Sequence, residues 1–474
     1  MKKGKQILAL LICMLMVLSL SACGSGDSAA PPTADAPENT TEAPANDASA
    51  DAADETVDTG DKVQLTFSLW GSDEEQKVTQ EVLDKFNATQ DRIEVNAIAI
   101  PWETYTEKLN TMATANELPD AGMVNEGYVI QYAEMGLLMD ASEMYEGKAA
   151  PLDAITFKYE GKPVAYASSN EILMMYYNKD MFDAAGVDYP PNSADDAWTW
   201  DEFVDVAKQL TLDANGKTPN DADFDPNNIV QYGCMVENLT WQLEVWALSN
   251  GGGFYDADGN VTINDPAAIE AIQRVADLHL VHHVAPLSTG LTDDGVPRSL
   301  VAGTVAMTTN GAWNQGTALY ADGEYVVNYG VGVLPYMQEK VSICTSGTAT
   351  AFSQTKYPEE TMEFIRWYND PDNNWGLIES GIWMPNLESY YTDETLTKKW
   401  LDNPAYLPME EIKPVLVDYT RDYVVSTSWF YVNNTGDFNA LLGDILGTVW
   451  TGDATAEEVI TANLDALEAA HNGM

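Results

Sequence analysis

Basic residues are scarce in this chain. The sequence contains 23 lysines and arginines against 74 aspartates and glutamates, so its formal net charge at pH 7 is -51. A surface of this sign repels the phosphates of nucleic acids and the headgroups of anionic lipids. The composition therefore argues against a nucleic-acid-binding protein. At 474 residues the chain is long enough for two or three domains with a large buried core.

Histidine is also scarce, which limits the catalytic sites that the chain can form. His279, His282 and His283 could share one helical face, but no HExxH motif or carboxylate at ligand spacing accompanies them. We interpret them as surface residues of an amphipathic helix. The sequence also lacks a GxSxG elbow, a P-loop and a GxGxxG segment after a strand. Paired carboxylates are plentiful, so a glycosidase stays open as an alternative, although no motif nominates a pair.

One acidic loop imitates a calcium site. Asp221, Asp223, Asp225 and Asn227 alternate as they do at the start of a Ca²⁺-binding loop. The sixth position is proline rather than glycine, and the twelfth is tyrosine rather than glutamate. We therefore predict no metal site and no cofactor.

Only one long apolar run occurs, at the N-terminus. Three lysines precede an apolar stretch from Ile7 to Leu18, which is the length of a signal-peptide core and too short to span a membrane. The run ends in Leu20-Ser21-Ala22-Cys23, which resembles a bacterial lipobox. We predict that residues 1–22 are a signal peptide and that Cys23 is lipidated. The protein is then expected on the extracellular face of the bacterial cell membrane, held there by its lipid.

Cysteine is nearly absent from the remainder of the chain. Of the four cysteines, Cys13 lies in the signal peptide and Cys23 is the predicted anchor. An extracellular location permits a disulfide between Cys234 and Cys344. We expect both to be buried free thiols.

The segment that follows the anchor has almost no large apolar residues. Gly24 to Asp61 is rich in alanine, aspartate, glutamate, proline, serine and threonine, and it has no lysine or arginine. Such a composition cannot offset the entropy lost on folding. We predict that residues 23–61 form the lipidated cysteine and a disordered acidic linker.

From residue 63 the pattern is that of an α/β protein. Val63 to Trp70 reads as a strand, Glu74 to Asn87 as a helix and Ile93 to Ile100 as a second strand. The alternation continues through a helix ending at Ala115 and a short strand at Ala121 to Val124. This order predicts a largely parallel sheet.

Tryptophan is abundant, and several tryptophans stand where loops begin. The chain has 13, including Trp70 before a glycine, Trp313 in an Asn-Gly-Ala-Trp turn and Trp383 before Met-Pro. An indole at the mouth of a loop suits a sugar ring or a cationic ligand. Core packing is the more common role for any single tryptophan.

Several segments resemble one family. They are the Leu-Pro-Asp segment at 118–120 leading to Gly-Leu-Leu at 136–138, Gly161 to Tyr166 followed by Tyr177 to Asp180, Trp198 to Phe203, Gly303 to Trp313, and Val327 to Pro335. In this order they are similar to the extracellular solute-binding proteins that serve ABC importers, in the carbohydrate-binding group that is like maltose-binding protein. The resemblance extends from about residue 63 to 470.

The resemblance implies a fold and its limits. The expected fold is α/β and two-lobed, of the type II periplasmic-binding-protein class, with a hinge between the lobes and the ligand cleft at their interface. Carried over, lobe 1 comprises residues 62–168 and 329–375, and lobe 2 comprises 169–328 and 376–474.

The resemblance also nominates ligand-binding residues. Glu126 and Glu171 match carboxylates that contact sugar hydroxyls in the family, Trp241 matches an aromatic platform, and Trp313 stands in the matching turn. Trp429 is a candidate for a further stacking aromatic near the C-terminus. The weaker candidates, chosen by loop position, are Asn125, Asn310, Trp70 and Trp383. Gly127 follows Glu126 where maltose-binding members have arginine, which argues against maltose itself.

The implied function is the capture of a solute for import, without catalysis. The first hypothesis is a lipid-anchored monomer that binds a carbohydrate in the cleft and delivers it to the transmembrane subunits of an ABC permease. The second is a related protein for a polyamine or another cation, which the acidic residues near the cleft would suit. The third, a surface glycosidase, is favoured least.

Overall fold

The computed structural model describes residues 62–71, 73–148, 150–287 and 295–473. The predicted signal peptide, the lipidation site Cys23 and the acidic linker lie outside the described residues. Among the described residues, no helix is both long and apolar enough to cross a membrane.

A four-stranded sheet begins the fold. Its strands are β1 (Val63–Leu69), β2 (Ile93–Ala99), β3 (Ala121–Val124) and β14 (Thr348–Ala351), arranged in the order β14-β3-β1-β2. β1 pairs in parallel with both β2 and β3, while β14 pairs antiparallel with β3. The largely parallel sheet predicted for this part of the chain is therefore confirmed, with one late strand added to its edge.

A second, mixed sheet carries seven strands. They are β6 (Glu171–Asn178), β7 (Leu212–Asp213), β8 (Ile229–Val236), β9 (Val305–Gly311), β12 (Tyr329–Gly332), β13 (Ser342–Thr345) and β15 (Val424–Ser426). β6 is its centre and is buried along its whole length. It pairs antiparallel with β9, β12 and β13, and β8 runs parallel to β9. Two hairpins complete the strands: β4 (Thr156–Tyr159) with β5 (Lys162–Tyr166), and β10 (Tyr320–Ala321) with β11 (Glu324–Tyr325).

Helices occupy most of the remaining chain, and the amphipathic patterns that predict them are visible in the sequence. The α-helices are Asp73–Thr89, Trp102–Ala115, Glu126–Glu134, Lys179–Ala185, Trp200–Leu210, Thr240–Ser249, Pro266–Leu280, Gly295–Val301, Asn314–Thr317, Pro358–Tyr368, Trp375–Glu379, Ser389–Thr392, Glu394–Leu401, Met409–Lys413, Thr420–Tyr423, Thr435–Trp450 and Ala456–His471. Short 3₁₀ turns occur at Asp153–Ile155, Ala194–Asp196 and Ser428–Phe430, and Pro414–Tyr419 is π-helical.

The described residues form two large hydrophobic cores. The first lies beside the four-stranded sheet and continues onto one face of β6, where it includes Ile172 and Met174, and the second includes Leu173 and Met175 from the other face of β6. Phe67, Phe364 and Tyr368 belong to the core beside the four-stranded sheet. Phe203, Trp246 and Phe438 belong to the core beside the seven-stranded sheet. Both cores contain side chains that are completely buried.

The lobe limits remain a prediction. Tyr329–Gly332, predicted to lie in lobe 1, pairs with β6 in the seven-stranded sheet. Leu377, Trp400 and Leu416, predicted to lie in lobe 2, belong to the core that contains both Phe67 and Ile172 of β6.

The chain crosses between the sheets at segments that contact one another. Residues 167–170 lead from the β4–β5 hairpin into β6, and residues 346–347 lead from β13 into β14. Ser168 N donates to Gly347 O at 2.9 Å, and Asn170 N donates to Met384 O at 3.0 Å. These hydrogen bonds bind the crossing segments side by side, which is where a hinge between lobes is expected.

The cysteine prediction is confirmed. Cys234 and Cys344 are buried and free, and burial raises the pKa of both thiols. The histidine group is half-buried rather than fully exposed: His279 Nδ1 lies 3.2 Å from Ala285 O, and His283 Nδ1 lies 3.1 Å from His279 O. Within the described ranges, no group of three or more histidine, cysteine, aspartate or glutamate side chains is arranged to hold a metal ion.

Candidate functional site

Polar and aromatic side chains gather where the parallel strands of both sheets end. β1 and β3 end at Leu69 and Val124, so Trp70 and Glu126 follow at the same edge of the four-stranded sheet. β8 and β9 end at Val236 and Gly311. Ligands of α/β proteins bind outside the carboxyl ends of such strands, so this edge is the candidate site.

Glu126 is held by both parts of the molecule. It is the first residue of helix Glu126–Glu134, whose N-cap Asn125 accepts a hydrogen bond from Gly127 N at 3.1 Å. Thr345 Oγ1 and Ser346 N each donate to Glu126 Oε1 at 2.7 Å. Thr345 ends β13, so the carboxylate of a helix beside the four-stranded sheet is bonded to the seven-stranded sheet. The positive end of the helix dipole also favours a carboxylate there.

Glu171 is a second buried carboxylate beside the first. It begins β6, pairs in register with Thr345 and is only 6% exposed. Burial raises its pKa well above the ordinary value, the nearby Glu126 and Glu75 raise it further, and a 2.6 Å hydrogen bond from Ser169 Oγ opposes the rise. A carboxyl group in this state is stabilised by hydroxyl donors or by a cation.

Three tryptophans form a stack on the other side of the site. The ring of Trp241, on helix Thr240–Ser249, lies 6.3 Å from the ring of Trp313 and 5.6 Å from that of Trp429, with interplanar angles of 38° and 41°. Trp429 is 8% exposed, and its Nε1 has no hydrogen-bond partner among the described residues. Trp241 and Trp313 are half-buried, so they present flat apolar faces, whereas the Nε1–H of Trp429 is buried and lacks an acceptor within the described part of the chain.

Strand pairing brings the stack and the carboxylates to one edge. Ala312 N donates to Ile172 O at 3.0 Å. β6 and β9 are antiparallel, so Glu171 at the start of β6 and Trp313 just after the end of β9 lie at the same edge of the sheet. Gly311 permits the turn, because a Cβ added there would lie 1.8 Å from the ring of Trp313.

Asn310 supports this turn from below. It is completely buried, and its Nδ2 donates to Glu237 Oε1 at 3.0 Å. Its Oδ1 accepts hydrogen bonds from Gly311 N at 2.6 Å and Asn314 Nδ2 at 2.9 Å. These bonds give Asn310 a bracing role for Trp313.

The other weak candidates differ in their surroundings. Trp70 packs edge-on against Tyr105 and the half-exposed Trp102, with ring centroids 4.9 and 5.3 Å away, and it lies close to Gly347. Trp383 is 3% exposed, packs within the core of the four-stranded sheet and directs its Nε1 to Glu75 Oε1 at 3.4 Å. Trp70 is therefore near the site edge, whereas Trp383 contributes mainly to packing.

Sequence reasoning missed the hydroxyl residues that hold the carboxylates. Ser169, Thr345 and Ser346 lie in or beside the crossing segments, and Ser169 Oγ lies 3.2 Å from Ser346 Oγ. No local motif marks them. A Ser-Ser pair just before a strand and a Thr-Ser-Gly just after one are the only signals available.

A buried carboxylate beside the tryptophan stack was also missed. Glu244 is 3% exposed and lies on the same helix as Trp241. Its Oε1 accepts a hydrogen bond from Ser428 N at 2.9 Å, and its Oε2 accepts one from Ser428 Oγ at 3.0 Å. Burial raises the pKa of Glu244 to about 7, against the opposing effect of the two bonds from Ser428.

Comparison with protein families gives a match over most of the chain. A family model described as a bacterial extracellular solute-binding protein matches residues 81–407.

Named relatives are distant in sequence. A putative ABC transporter periplasmic-binding protein of Escherichia coli K12 is 22% identical over 402 residues, which cover 79% of this chain and 83% of that protein. An arabinooligosaccharide-binding protein of Halalkalibacterium halodurans is 31% identical over 133 residues, covering 28% of this chain and 25% of that protein.

Solved structures resemble the described fold. An ABC substrate-binding protein from Listeria monocytogenes, in complex with cycloalternan, has a TM-score of 0.71 and 23% identity, covering 87% of this chain and 100% of that one. A maltose-bound MalE3 from T. maritima has a TM-score of 0.69 and 21% identity, covering 86% and 99%. These likenesses confirm the two-lobed type II fold that the sequence predicts.

Proposed function

Because this chain belongs to the bacterial extracellular solute-binding protein family, we propose that it captures a sugar or an oligosaccharide between its lobes and delivers it to the permease of an ABC importer. Cys23 is proposed as the lipid anchor and residues 24–61 as the leash that lets the lobes reach the permease. The proposed ligand contacts are Glu126, Glu171, Trp241, Trp313 and Trp429, with Trp70 and Asn125 as secondary candidates. Asn310 and Trp383 are proposed to support the site from behind and not to contact the ligand.

One observation carries this proposal: two buried carboxylates and a stack of three tryptophans meet at one edge. Glu126, and Glu171 when it is ionised, are strong acceptors for hydroxyl groups, since hydrogen bonds to charged groups are worth about 1.5–3 kcal/mol each. The C–H faces of a sugar ring pack on indoles such as Trp241 and Trp313. A neutral polyol needs both kinds of contact.

The site also suggests how binding would reach the permease. Thr345 and Ser346 bind Glu126 and lie at a crossing between the sheets. A ligand that engages Glu126 and the tryptophan stack together would favour the closed arrangement of the lobes, since it gains contacts from both only there. We propose that this closed form is what the permease recognises.

A cationic ligand is the second candidate, and the state of Glu171 favours it. The pKa of Glu171 is raised by burial and by Glu126 and Glu75. A polyamine would offset this accumulation of negative charge, and the indoles would accept its ammonium groups by cation–π contact.

A thermal-shift screen of the purified protein separates these candidates. The panel contains maltose, maltotriose, arabino-oligosaccharides and spermidine. A ligand at a hundred times its Kd adds about 2.7 kcal/mol to the stability, which is easily measured. We expect at least one saccharide to raise Tm and spermidine to have no effect.

Site variants complete the test. Trp313→Ala should abolish the shift produced by that saccharide, whereas Trp367→Ala, which alters a tryptophan packed against the outer helices, should keep it. If spermidine raises Tm and no saccharide does, the proposed ligand is a cation and not a sugar. If the protein releases reducing ends from an oligosaccharide, the glycosidase hypothesis is supported instead.

A further inference from the structure

The carboxyl group of Glu244 is bonded to the segment that carries one tryptophan of the stack. Both of its oxygens accept hydrogen bonds from Ser428, one from the backbone N–H at 2.9 Å and one from the hydroxyl at 3.0 Å. Ser428 immediately precedes Trp429. The two bonds therefore fix the backbone at the point from which that indole projects.

The stack and the carboxyl group join the same two segments. Trp241 and Glu244 are three residues apart on helix Thr240–Ser249, so both side chains lie on one side of it. Trp241 contacts the ring of Trp429 at 5.6 Å while Glu244 holds Ser428. Two neighbouring contacts thus align the 3₁₀ turn Ser428–Phe430 on this helix.

We propose that Glu244 is a positioning residue for the ligand site: it holds Ser428 so that Trp429 stays against Trp241, and its ionisation tunes ligand affinity. The effect on affinity rests on the proposed function, whereas the positioning of the indole does not. None of the proposed ligand contacts includes Glu244 itself.

The two protonation states of Glu244 hold Ser428 differently. The ionised form accepts two charge-assisted hydrogen bonds. In the protonated form one oxygen becomes a donor, so Ser428 Oγ must accept from it and the bond from Ser428 N becomes a neutral one. Since burial brings the pKa of Glu244 to about 7, both states are populated near neutral pH. The ionised form should hold Trp429 more firmly.

The titratable neighbours of Glu244 do not supply a competing charge near neutral pH. Burial raises the pKa of Tyr255, and it raises that of Tyr431 to about 12, so both hydroxyls stay neutral. Burial lowers the pKa of His471, whose ring lies 5.3 Å from that of Tyr255. Asp256, which acts on Tyr431, is bonded by Asn260 and keeps a constant negative charge because its pKa is lowered.

The helices packed against Thr240–Ser249 carry further charged and titratable groups. On helix Pro266–Leu280, Asp277 accepts a hydrogen bond from Gln273, and His279 Nδ1 lies 3.2 Å from Ala285 O. On helix Pro266–Leu280, Glu270 and Arg274 bond to each other. On helix Thr435–Trp450, Asp437 and Asp444 are exposed to solvent. Two other buried carboxylates lie near the stack: Glu237, which accepts a hydrogen bond from Asn310 Nδ2 at 3.0 Å, and Glu171, whose pKa is raised by burial. Both remain in Glu244→Gln, so that variant isolates the change of charge that belongs to Glu244.

Near-ultraviolet circular dichroism of the protein without ligand tests the positioning, because neighbouring indole rings contribute to such spectra and the contribution of Trp429 is found by difference against Trp429→Phe. We expect the wild type to show a step with a midpoint near pH 7. Glu244→Gln should keep the spectrum of the acidic form and lose the step, because an amide can still accept from Ser428 N and donate to Ser428 Oγ. Glu244→Ala should change the spectrum, and the same substitution in a Trp429→Phe background should add little further change.

Two controls keep the test decisive. If Glu244→Ala fails to fold, Ser428→Ala removes only the bond to Oε2 and should shift the midpoint. A pH step that survives in Glu244→Gln, or a Glu244→Ala change that is equally large without Trp429, would overturn the proposal.

Affinity for maltotriose, measured by calorimetry between pH 5.5 and 8.5, tests the tuning. We expect affinity to rise about two- to fivefold across neutral pH in the wild type and to stay flat in Glu244→Gln, since charged and neutral hydrogen bonds differ by about 1 kcal/mol. If affinity changes with pH equally in wild type and Glu244→Gln, ionisation of Glu244 does not tune ligand affinity. If maltotriose does not bind, the same titration uses the saccharide of the panel that raises Tm. If no saccharide binds, the proposed sugar ligand is wrong, but the spectra without ligand still decide the positioning.

Discussion

The carboxylates and the tryptophans of the candidate site are held in place by different forces. Glu126 and Glu171 are positioned by short hydrogen bonds from Thr345, Ser346 and Ser169, in or beside the segments that cross between the sheets. Trp241 and Trp313 are positioned by ring contacts and by a glycine that leaves them room. The comparison teaches that the polar half of the site depends on how the sheets are joined, whereas the aromatic half depends on ring packing, with hydrogen bonds of Asn310 and Ser428 only supporting the backbone behind the rings.

The largest effect is expected from closing the space beneath Trp313. In Gly311→Ala the new Cβ would overlap the indole, which lies 1.8 Å from that position. The ring must move, and overpacking of this kind costs about 3 kcal/mol of unfolding free energy. Urea denaturation measures the loss, and ligand affinity should fall with it.

A matched glycine provides the control for Gly311. Gly447 lies in helix Thr435–Trp450 with no atom within 4 Å of an added Cβ, so Gly447→Ala should be neutral or slightly stabilising. Equal destabilisation by the two substitutions would contradict the packing account of the aromatic half.

The next effect is a pH dependence of stability that originates beside the stack. The folded-state pKa of Glu244 is raised from 4.5 to about 7, so the folded protein keeps this proton longer than the unfolded chain. The protonated carboxyl group contributes about 3 kcal/mol to the free energy of unfolding. This contribution is fully present below pH 4.5 and is lost as the pH rises through 7. Comparing wild type with Glu244→Gln in urea from pH 4 to 8 should reveal a steeper decline in the wild type, because Glu171, whose pKa is also raised, contributes to both proteins. An equally steep decline in both proteins would rule out Glu244 as a source.

In the polar half of the site, removing a carboxylate should have opposite effects on stability and on ligand affinity. Glu171→Gln removes a buried carboxylate whose pKa is raised, so unfolding free energy at pH 7 should stay the same or increase. Ligand affinity should nevertheless fall by about 2 kcal/mol, because an acceptor for sugar hydroxyls is weakened. Chemical denaturation and calorimetry together measure both effects.

Glu468→Gln is the control for this charge change, since that carboxylate is exposed near the C-terminal end of the last helix. It should alter neither quantity. Unchanged ligand affinity in Glu171→Gln would remove Glu171 from the site.

The smallest expected effects are those of shortening single tryptophans, and they distinguish a tryptophan of the stack from one of the core. Trp241→Phe keeps an aromatic face but reduces its area, so ligand affinity should fall by about 1 kcal/mol while stability changes little. Trp383→Phe should instead reduce stability by about 1 kcal/mol and leave affinity unchanged, because its ring is 97% buried within a core. Calorimetry and thermal unfolding of both variants give the contrast, and a reversed pattern would exchange the two roles.

Much of the fold was accessible from local pattern. The strand at Val63–Leu69 and the helix at Pro266–Leu280 were expected, because hydrophobic periodicity reports one buried face of an element. The pairing of Tyr329–Gly332 with β6 was not, because register between distant strands leaves no mark in either segment alone.

The candidate site was accessible only in part. Glu126, Glu171, Trp241 and Trp313 were nominated because they stand at matching positions in recognisable segments. Ser169 and Ser428 were not, since a serine becomes informative only when the fold brings a carboxylate within hydrogen-bond distance. Trp383 was nominated for its loop position and lies in a core, because a loop residue and a buried residue have the same local sequence.

The sequence by itself determined the negative charge, the α/β class and the family resemblance, and it predicts an export signal with a lipid anchor. Each of these follows from composition or from short-range order, which is present before the chain folds. Only the tertiary structure decided which carboxylates are buried together and which indoles stack. Burial and proximity are properties of residues that lie far apart in sequence, as Glu126 and Thr345 do, and those properties set the charge and the contacts that the candidate site can offer.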